Sequence, residues 1–217
     1  TDGGSLNRIP LDALDAKGSQ EGDAHAVSLL VDTEDRESTV ANGAFAGRPV
    51  SEILQSHGRE LVGKSYRPGE PFPLSVRIFA VDMCTPLLVQ RPRESRPNAN
   101  SKFWFLVDSA ASRAEIGLGI ERRVTRQQIV EHLNRRSLRD LLEVFPARPG
   151  DGFFIPPGVV HYAGAGLVVI EIREGSDPEL VVSRWGEQRS ETTAQEEALA
   201  AVQFENRRSW RIASEAG

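Results

Sequence analysis

The sequence predicts a mainly β protein, a sandwich or barrel with a few inserted and flanking α-helices. Many short segments alternate apolar and polar residues or are rich in β-branched and aromatic residues, which favours strands. Glycine and proline separate these segments, and helical periodicity is confined to a few of them. A parallel βαβ sheet would instead alternate strands and helices regularly along the chain.

In the first half of the chain, one helix is predicted among several strands. Residues 49–63, "PVSEILQSHGRELVG", have the apolar stripe of a helix that Ser51 can cap. Residues 1–24 are weakly patterned and predict a loose N-terminal leader before a single domain over 25–217. The predicted strands are "HAVSLL" (25–30), "PFPLSVRIFAVD" (71–82), "PLLVQ" (86–90), "SKFWFLVD" (101–108) and "RAEIGLGI" (113–120).

In the second half, a helical insertion is predicted at about 125–143 and a C-terminal helix at about 191–202. Thr125 can cap the insertion, and Asn134 to Ser137 predict a break within it. The remaining apolar segments predict strands, namely "GDGFFIPPGVVHY" (150–162), "GLVVIEIRE" (166–174), "LVVSRW" (180–185) and "RRSWRIAS" (207–214).

Composition excludes several classes of protein. The formal net charge of −5 argues against a general nucleic-acid binder, so Arg91, Arg93 and Arg96 predict a solvated loop. No apolar run approaches the roughly 18 to 20 residues of a membrane span. Cys84 is the only cysteine, and the chain starts without a signal-peptide pattern, so we expect a cytoplasmic protein without a Cys-rich zinc site.

The most informative stretch is "GDGFFIPPGVVHYAGAG", residues 150–166. Phe153 and Ile155 alternate with Phe154, and the following Pro-Pro-Gly turn interrupts the strand and redirects the chain. Val159 and His161 then point to the same side. An imidazole in an apolar barrel interior needs a partner, which the sequence leaves open as a metal, a carboxylate or water.

The spacing from Gly150 to His161 matches GxxxxxPxGxxH, and the chain therefore resembles the cupin superfamily. More closely, it resembles type I phosphomannose isomerases of the bacterial kind over about residues 25–205. Segments that carry this resemblance include "FPLSVR", "SKFWFLVD", "IPPGVVHYAGAGLVVIEI" and "SDPELVVSRWG". The resemblance implies a cupin jelly-roll barrel and carbohydrate metabolism.

The resemblance also implies a zinc ion bound by a Gln, two His and a Glu. Here His161 matches one His, and Gln90 matches either the Gln or the other His, while the Glu position holds Lys102. An ammonium beside Zn²⁺ is repelled, and a lone His with a Gln does not make a tight zinc site. We therefore expect no metal cofactor; if a metal were bound, His161 and Gln90 would be its ligands.

Further matches concern charged groups near the substrate. Arg77 matches a family lysine, Glu171 matches a family glutamate, and Val181 stands where the family has an arginine close to the reacting carbons. One hypothesis is that Lys102 replaces the charge of the metal and pairs with Glu171. The other is that Lys102 and Arg77 bind an anionic ligand.

We expect a non-catalytic or repurposed phosphomannose-isomerase-like protein that binds a sugar phosphate or another small anion. The expected ligand-binding residues are Lys102, Arg77, Gln90, Glu171 and His161; no catalytic residue is predicted. Alternatives are an active mannose-6-phosphate isomerase with an atypical metal site and a structural or interaction protein. An open sheet edge would invite pairing with another chain, so a homodimer is also expected.

Overall fold

A computed structural model describes residues 27–32, 39–40, 43–67, 74–93, 100–109, 114–120, 124–174, 178–185, 192–204 and 211–212. The expected leader (1–24) and Arg96 lie outside these residues. The predicted mainly β class is confirmed. The strands are β1 (Val27–Asp32), β2 (Leu74–Val81), β3 (Leu87–Val89), β4 (Lys102–Ser109), β5 (Glu115–Ile120), β6 (Leu142–Pro146), β7 (Gly152–Ile155), β8 (His161–Ala163), β9 (Leu167–Glu174), β10 (Leu180–Ser183) and β11 (Arg211–Ile212).

These strands form two antiparallel sheets. The first has six strands in the order β1-β2-β9-β4-β7-β11, and the second has five in the order β10-β3-β8-β5-β6. Strands β9 and β4 lie at the centre of the six-stranded sheet and pair with each other through Trp104 and Glu171. β2 lies on the other side of β9, with Arg77 opposite Glu171.

Two apolar cores define the layers of the molecule. The first core lies between the sheets and includes Trp104, Leu106 and Val169 from the six-stranded sheet and Ile116 and Leu118 from the other. The second core lies between the outer face of the five-stranded sheet and two helices. The five-stranded sheet is therefore buried on both faces, whereas the six-stranded sheet buries one face against the first core.

The described helices are α1 (Val50–Val62), α2 (Arg126–Asn134) and α3 (Thr193–Ala201). The predicted cap of α2 is present as a capping box, in which Gln128 N donates to Thr125 Oγ1 over 3.2 Å and Thr125 N donates to the Gln128 side chain over 2.8 Å. Both α2 and α3 contribute buried residues to the second core. No helix in the described ranges is long and apolar enough to cross a membrane.

The predicted helical insertion at about 125–143 is shorter than expected. α2 ends at Asn134, the predicted break follows, and Leu138–Leu141 forms a single 3₁₀ turn. Leu142–Pro146 is strand β6, which the sequence did not predict. Leu138, Leu141 and Leu142 have helical spacing, but β5 offers a strand partner to this segment, and a tertiary partner overrides a local preference.

Candidate functional site

The space between the sheets is apolar toward one end and charged toward the other. Alternation along β2, β9 and β4 points every second side chain into this space. Across these three strands the inward rows are Phe79–Val169–Leu106, then Arg77–Glu171–Trp104, then Ser75–Arg173–Lys102. The charged rows are the candidate functional site.

The Pro-Pro-Gly turn supplies the opposite side of the site. Gly158 has φ +82°, a left-handed conformation that favours glycine, and its N–H donates to the backbone oxygen of Gln90 over 2.8 Å. β8 starts three residues later, with His161 opposite Leu88 of β3. The turn therefore brings Gln90 and His161 to the same end of the five-stranded sheet.

Lys102 is the centre of the site, and its side chain is fully buried. Its Nζ lies 3.2 Å from Glu171 Oε2 and donates a hydrogen bond to Glu179 Oε1. The ammonium also lies 5.0 Å from the ring centroid of Trp104, whose Nε1 donates to Glu171 Oε2 over 2.9 Å. The pairing of Lys102 with Glu171 agrees with the first sequence hypothesis, and the second carboxylate was not predicted.

His161 has a hydrogen-bond acceptor on each side of its ring. Nε2 lies 3.0 Å from Glu179 Oε1, and Nδ1 lies 2.9 Å from the carbonyl oxygen of Val159. A neutral imidazole has one N–H. We assign it to Nε2, because a hydrogen bond to a carboxylate is roughly twice as strong as one between neutral groups. The Trp104 ring packs edge-on against the imidazole, with 5.3 Å between ring centroids.

The site holds its acids ionised. Burial alone would raise the pKa of Glu179, but the Lys102 charge and the hydrogen bond from His161 hold it far below its usual value. The pKa of Glu171 is also lowered, because Lys102 and the Trp104 hydrogen bond outweigh burial and the nearby Glu179 charge. Burial, together with the Lys102 charge, lowers the pKa of His161 in spite of Glu179.

Two buried polar side chains at the site lack hydrogen-bond partners among the described residues. They are Gln90, which is 1% exposed and has both amide atoms unsatisfied, and Ser75, whose Oγ is unsatisfied. A polar group that is buried without a hydrogen bond lowers the stability of the folded protein by about 1–3 kcal/mol. Unsatisfied donors and acceptors beside a charged cluster are typical of a site that receives a polar ligand or water.

The zinc ion implied by the resemblance does not fit these side chains. A zinc ligand presents a lone pair or negative charge to the metal, but both ring nitrogens of His161 face acceptors, and Lys102 contacts both nearby carboxylates. In the part of the chain that the structure describes, no group of three or more His, Cys, Asp or Glu side chains is placed to hold a metal ion.

The structure brings together four of the five expected residues through contacts or register. Lys102 and Glu171 are in contact, His161 joins them through Glu179, and Arg77 lies opposite Glu171. Gln90 reaches the same end of the second sheet through its backbone bond to the turn. That these five residues bind a ligand remains a prediction.

Sequence reasoning missed Glu179 and Arg173. Alternation along β9 would have predicted that Arg173 belongs to the site, because Arg173 lies two residues after Glu171 and therefore on the same face of the strand. Glu179 had no comparable signal: it precedes β10 and reaches Lys102 only through the tertiary fold.

In sequence and in fold, the chain is similar to mannose-6-phosphate isomerases. The chain is 29% identical over 148 residues to the mannose-6-phosphate isomerase ManA of Bacillus subtilis, covering 65% of this chain and 45% of that protein. It is 28% identical over 145 residues to the mannose-6-phosphate isomerase of Streptococcus mutans, covering 64% and 44%. The chain thus spans less than half the length of these curated relatives. No family model matches it.

Solved structures show the same similarity. The crystal structure of the B. subtilis mannose 6-phosphate isomerase matches with a TM-score of 0.61 and 26% identity, covering 78% of this chain and 55% of that chain. The apo form of the Salmonella typhimurium mannose 6-phosphate isomerase matches with a TM-score of 0.53 and 12% identity, covering 73% and 62%. The second match bears on the fold alone.

Proposed function

We propose that this protein acts in carbohydrate metabolism and binds a sugar phosphate or another small anion without isomerising it. The observation that carries the proposal is that Lys102 Nζ and His161 Nε2 contact the same carboxylate oxygen of Glu179. Glu179 is 19% exposed, whereas the side chains of Lys102 and His161 are fully buried. A phosphate or carboxylate oxygen of a ligand can displace this carboxylate and accept the same two hydrogen bonds.

The surrounding groups match the rest of such a ligand. Arg77 and Arg173 present guanidinium groups on the same inner face, and the planar donors of a guanidinium suit phosphate oxygens. The unsatisfied amide of Gln90 and hydroxyl of Ser75 can exchange hydrogen bonds with sugar hydroxyls. Because the site combines cationic donors with neutral polar groups, we expect it to bind a phosphorylated sugar more tightly than a simple inorganic anion.

The same contacts disfavour isomerisation. Moving a proton between neighbouring carbons needs a general base whose pKa lies near the working pH. The pKa values of Glu171 and Glu179 are lowered instead, and both carboxylates are paired with Lys102. Val181 of β10 offers no polar group where the resemblance places an arginine.

Isothermal titration calorimetry with mannose 6-phosphate tests the binding, with mannose and inorganic phosphate as separate ligands. We expect mannose 6-phosphate to bind most tightly, since it engages both the cationic and the neutral groups. Binding of inorganic phosphate alone would assign the site to small anions in general. Failure of all three ligands to bind would overturn the proposal and favour a structural or interaction protein.

The matched variants are Arg77→Met and Arg59→Met. Arg77 is half-buried in the candidate site, whereas Arg59 lies exposed on α1. We expect Arg77→Met to weaken mannose 6-phosphate binding at least tenfold, and Arg59→Met to leave it unchanged. Equal affinities for the two variants would place the ligand elsewhere on the protein.

A coupled assay that follows fructose 6-phosphate formation tests the absence of turnover, with and without added zinc. We expect no turnover above the uncatalysed rate in either condition. Turnover in the range of typical enzymes, about 1–10³ s⁻¹, would instead establish an active isomerase with an atypical site. Metal analysis of the same samples by mass spectrometry would then identify the ion.

A further inference from the structure

The outer face of the six-stranded sheet is unusually apolar. Antiparallel sheets with one solvated face normally alternate apolar and polar residues. Here the outward positions of the central strands are mostly apolar, namely Phe103 and Phe105 of β4 and Val168, Ile170 and Ile172 of β9. Large side chains on this face are exposed, namely Leu74 (41%), Phe105 (39%), Val107 (37%), Phe154 (36%), Ile172 (37%) and Ile212 (61%).

Charge is nearly absent from the middle of this face. The charged outward-pointing positions on β2, β9 and β4 are Glu174 at the end of β9 and Asp108 near the end of β4, which lies opposite Val168. Phe105 lies opposite Ile170, and Ile172 lies opposite Phe103, on the two central strands of the sheet. The apolar positions therefore form one continuous patch, which we call the outer apolar face.

The size of the outer apolar face suits a protein interface. Its exposed apolar area is on the order of 500 Å², at the upper end of what a monomer normally exposes. A standard interface buries about 800 Å² per partner, of which roughly 57% is apolar, or about 450 Å². The patch alone therefore supplies the apolar part of one side of a standard interface.

We propose that the outer apolar face is the dimer interface between two copies of this chain, related by a two-fold axis. An apolar patch that carries charge only at its ends is complementary to itself, which a two-fold contact requires. A nucleic acid or an anionic membrane would need basic groups around the patch, and the chain carries a net charge of −5. That net charge opposes association of two copies, so added salt strengthens the dimer by screening.

Sedimentation equilibrium of the full chain tests the proposal over roughly 1–200 µM protein. We expect the mass to rise with concentration from 23.8 kDa toward twice that value, and to rise further in high salt. A monomeric mass throughout that concentration range would overturn the proposal.

The variants Ile172→Glu and Ile172→Thr locate the interface. We expect the charged variant to weaken dimerisation more than tenfold and the milder one severalfold, with melting temperatures of dilute samples close to wild type. The matched control is Leu61→Glu, because Leu61 is an exposed large apolar residue (57%) on α1. Equal weakening by Ile172→Glu and Leu61→Glu would place the interface elsewhere.

Discussion

Replacing Lys102 by methionine removes one charge from the centre of the candidate site and keeps the length of the side chain. Glu171 and Glu179 would then lose the ammonium that both contact, and the side chain of Glu171 is only 3% exposed. Breaking a buried ion pair by removing one partner costs about 3–5 kcal/mol, because a charge stays buried and uncompensated. For a chain of this length, that corresponds to a fall in Tm of roughly 6–20 °C.

Urea unfolding at several pH values measures this loss and its cause. The pKa values of Glu171 and Glu179 lie below the model-peptide value of 4.5 in the folded protein, so their ionised forms stabilise the wild type above about pH 4.5. This stabilisation is lost as the pH falls through the folded pKa values. We therefore expect the difference between Lys102→Met and wild type to be largest near pH 7 and to narrow in acid.

Two comparisons separate this explanation from a simple packing defect. Adding Glu179→Gln to Lys102→Met should restore part of the stability, because one uncompensated charge disappears. Lys64→Met makes the same substitution at an exposed position and should change stability by less than about 0.5 kcal/mol. A loss below about 1 kcal/mol for Lys102→Met, or one that does not vary with pH, would mean that Lys102 does not stabilise the fold by neutralising buried carboxylates.

Three further substitutions test other parts of the structure. Gln90→Met removes the unsatisfied amide, so we expect the ligand-free protein to gain about 1–3 kcal/mol in urea unfolding while its affinity for mannose 6-phosphate falls; a destabilised variant would contradict the assignment. Glu115 accepts hydrogen bonds from Arg139 and Tyr162, which outweigh burial and lower its pKa. Glu115→Gln should therefore lower the free energy of unfolding by about 1 kcal/mol at pH 7 and by progressively less below about pH 4.5. An equal loss at pH 7 and below about pH 4.5 would contradict this prediction. Gly117→Ala would place a Cβ atom 1.9 Å from Cε1 of the buried Tyr162 ring, so thermal melting should show a loss of about 1–3 kcal/mol; an unchanged Tm would mean that the ring moves at no cost.

The local features of this protein were predictable because they depend on neighbours in the chain. Alternation over residues 71–82 predicted β2, three aromatic residues predicted β4, and an apolar segment bounded by glycine predicted β9. The cap of α2 followed from Thr125 at the start of the helical pattern. The Pro-Pro-Gly turn before His161 was also predictable, since proline fixes its own φ angle and glycine permits the positive φ that a turn can require.

Features that depend on distant partners were not predictable in this way. β6 looked helical because leucines recur at helical spacing, and only its pairing with β5 makes it a strand. The outer apolar face was not recognised either. Alternation separates the two faces of a strand, but it does not tell which face another layer covers.

The mainly β fold was predictable from the residue pattern alone, and the resemblance to phosphomannose isomerases placed Lys102 and His161 in one site. Tertiary structure decided what those two groups contact. Lys102 and Glu179 are 77 positions apart, and their contact exists only because the two sheets face each other. Backbone preferences act over a few residues, whereas the balance of buried charge is set by whichever side chains the fold brings within a few ångströms.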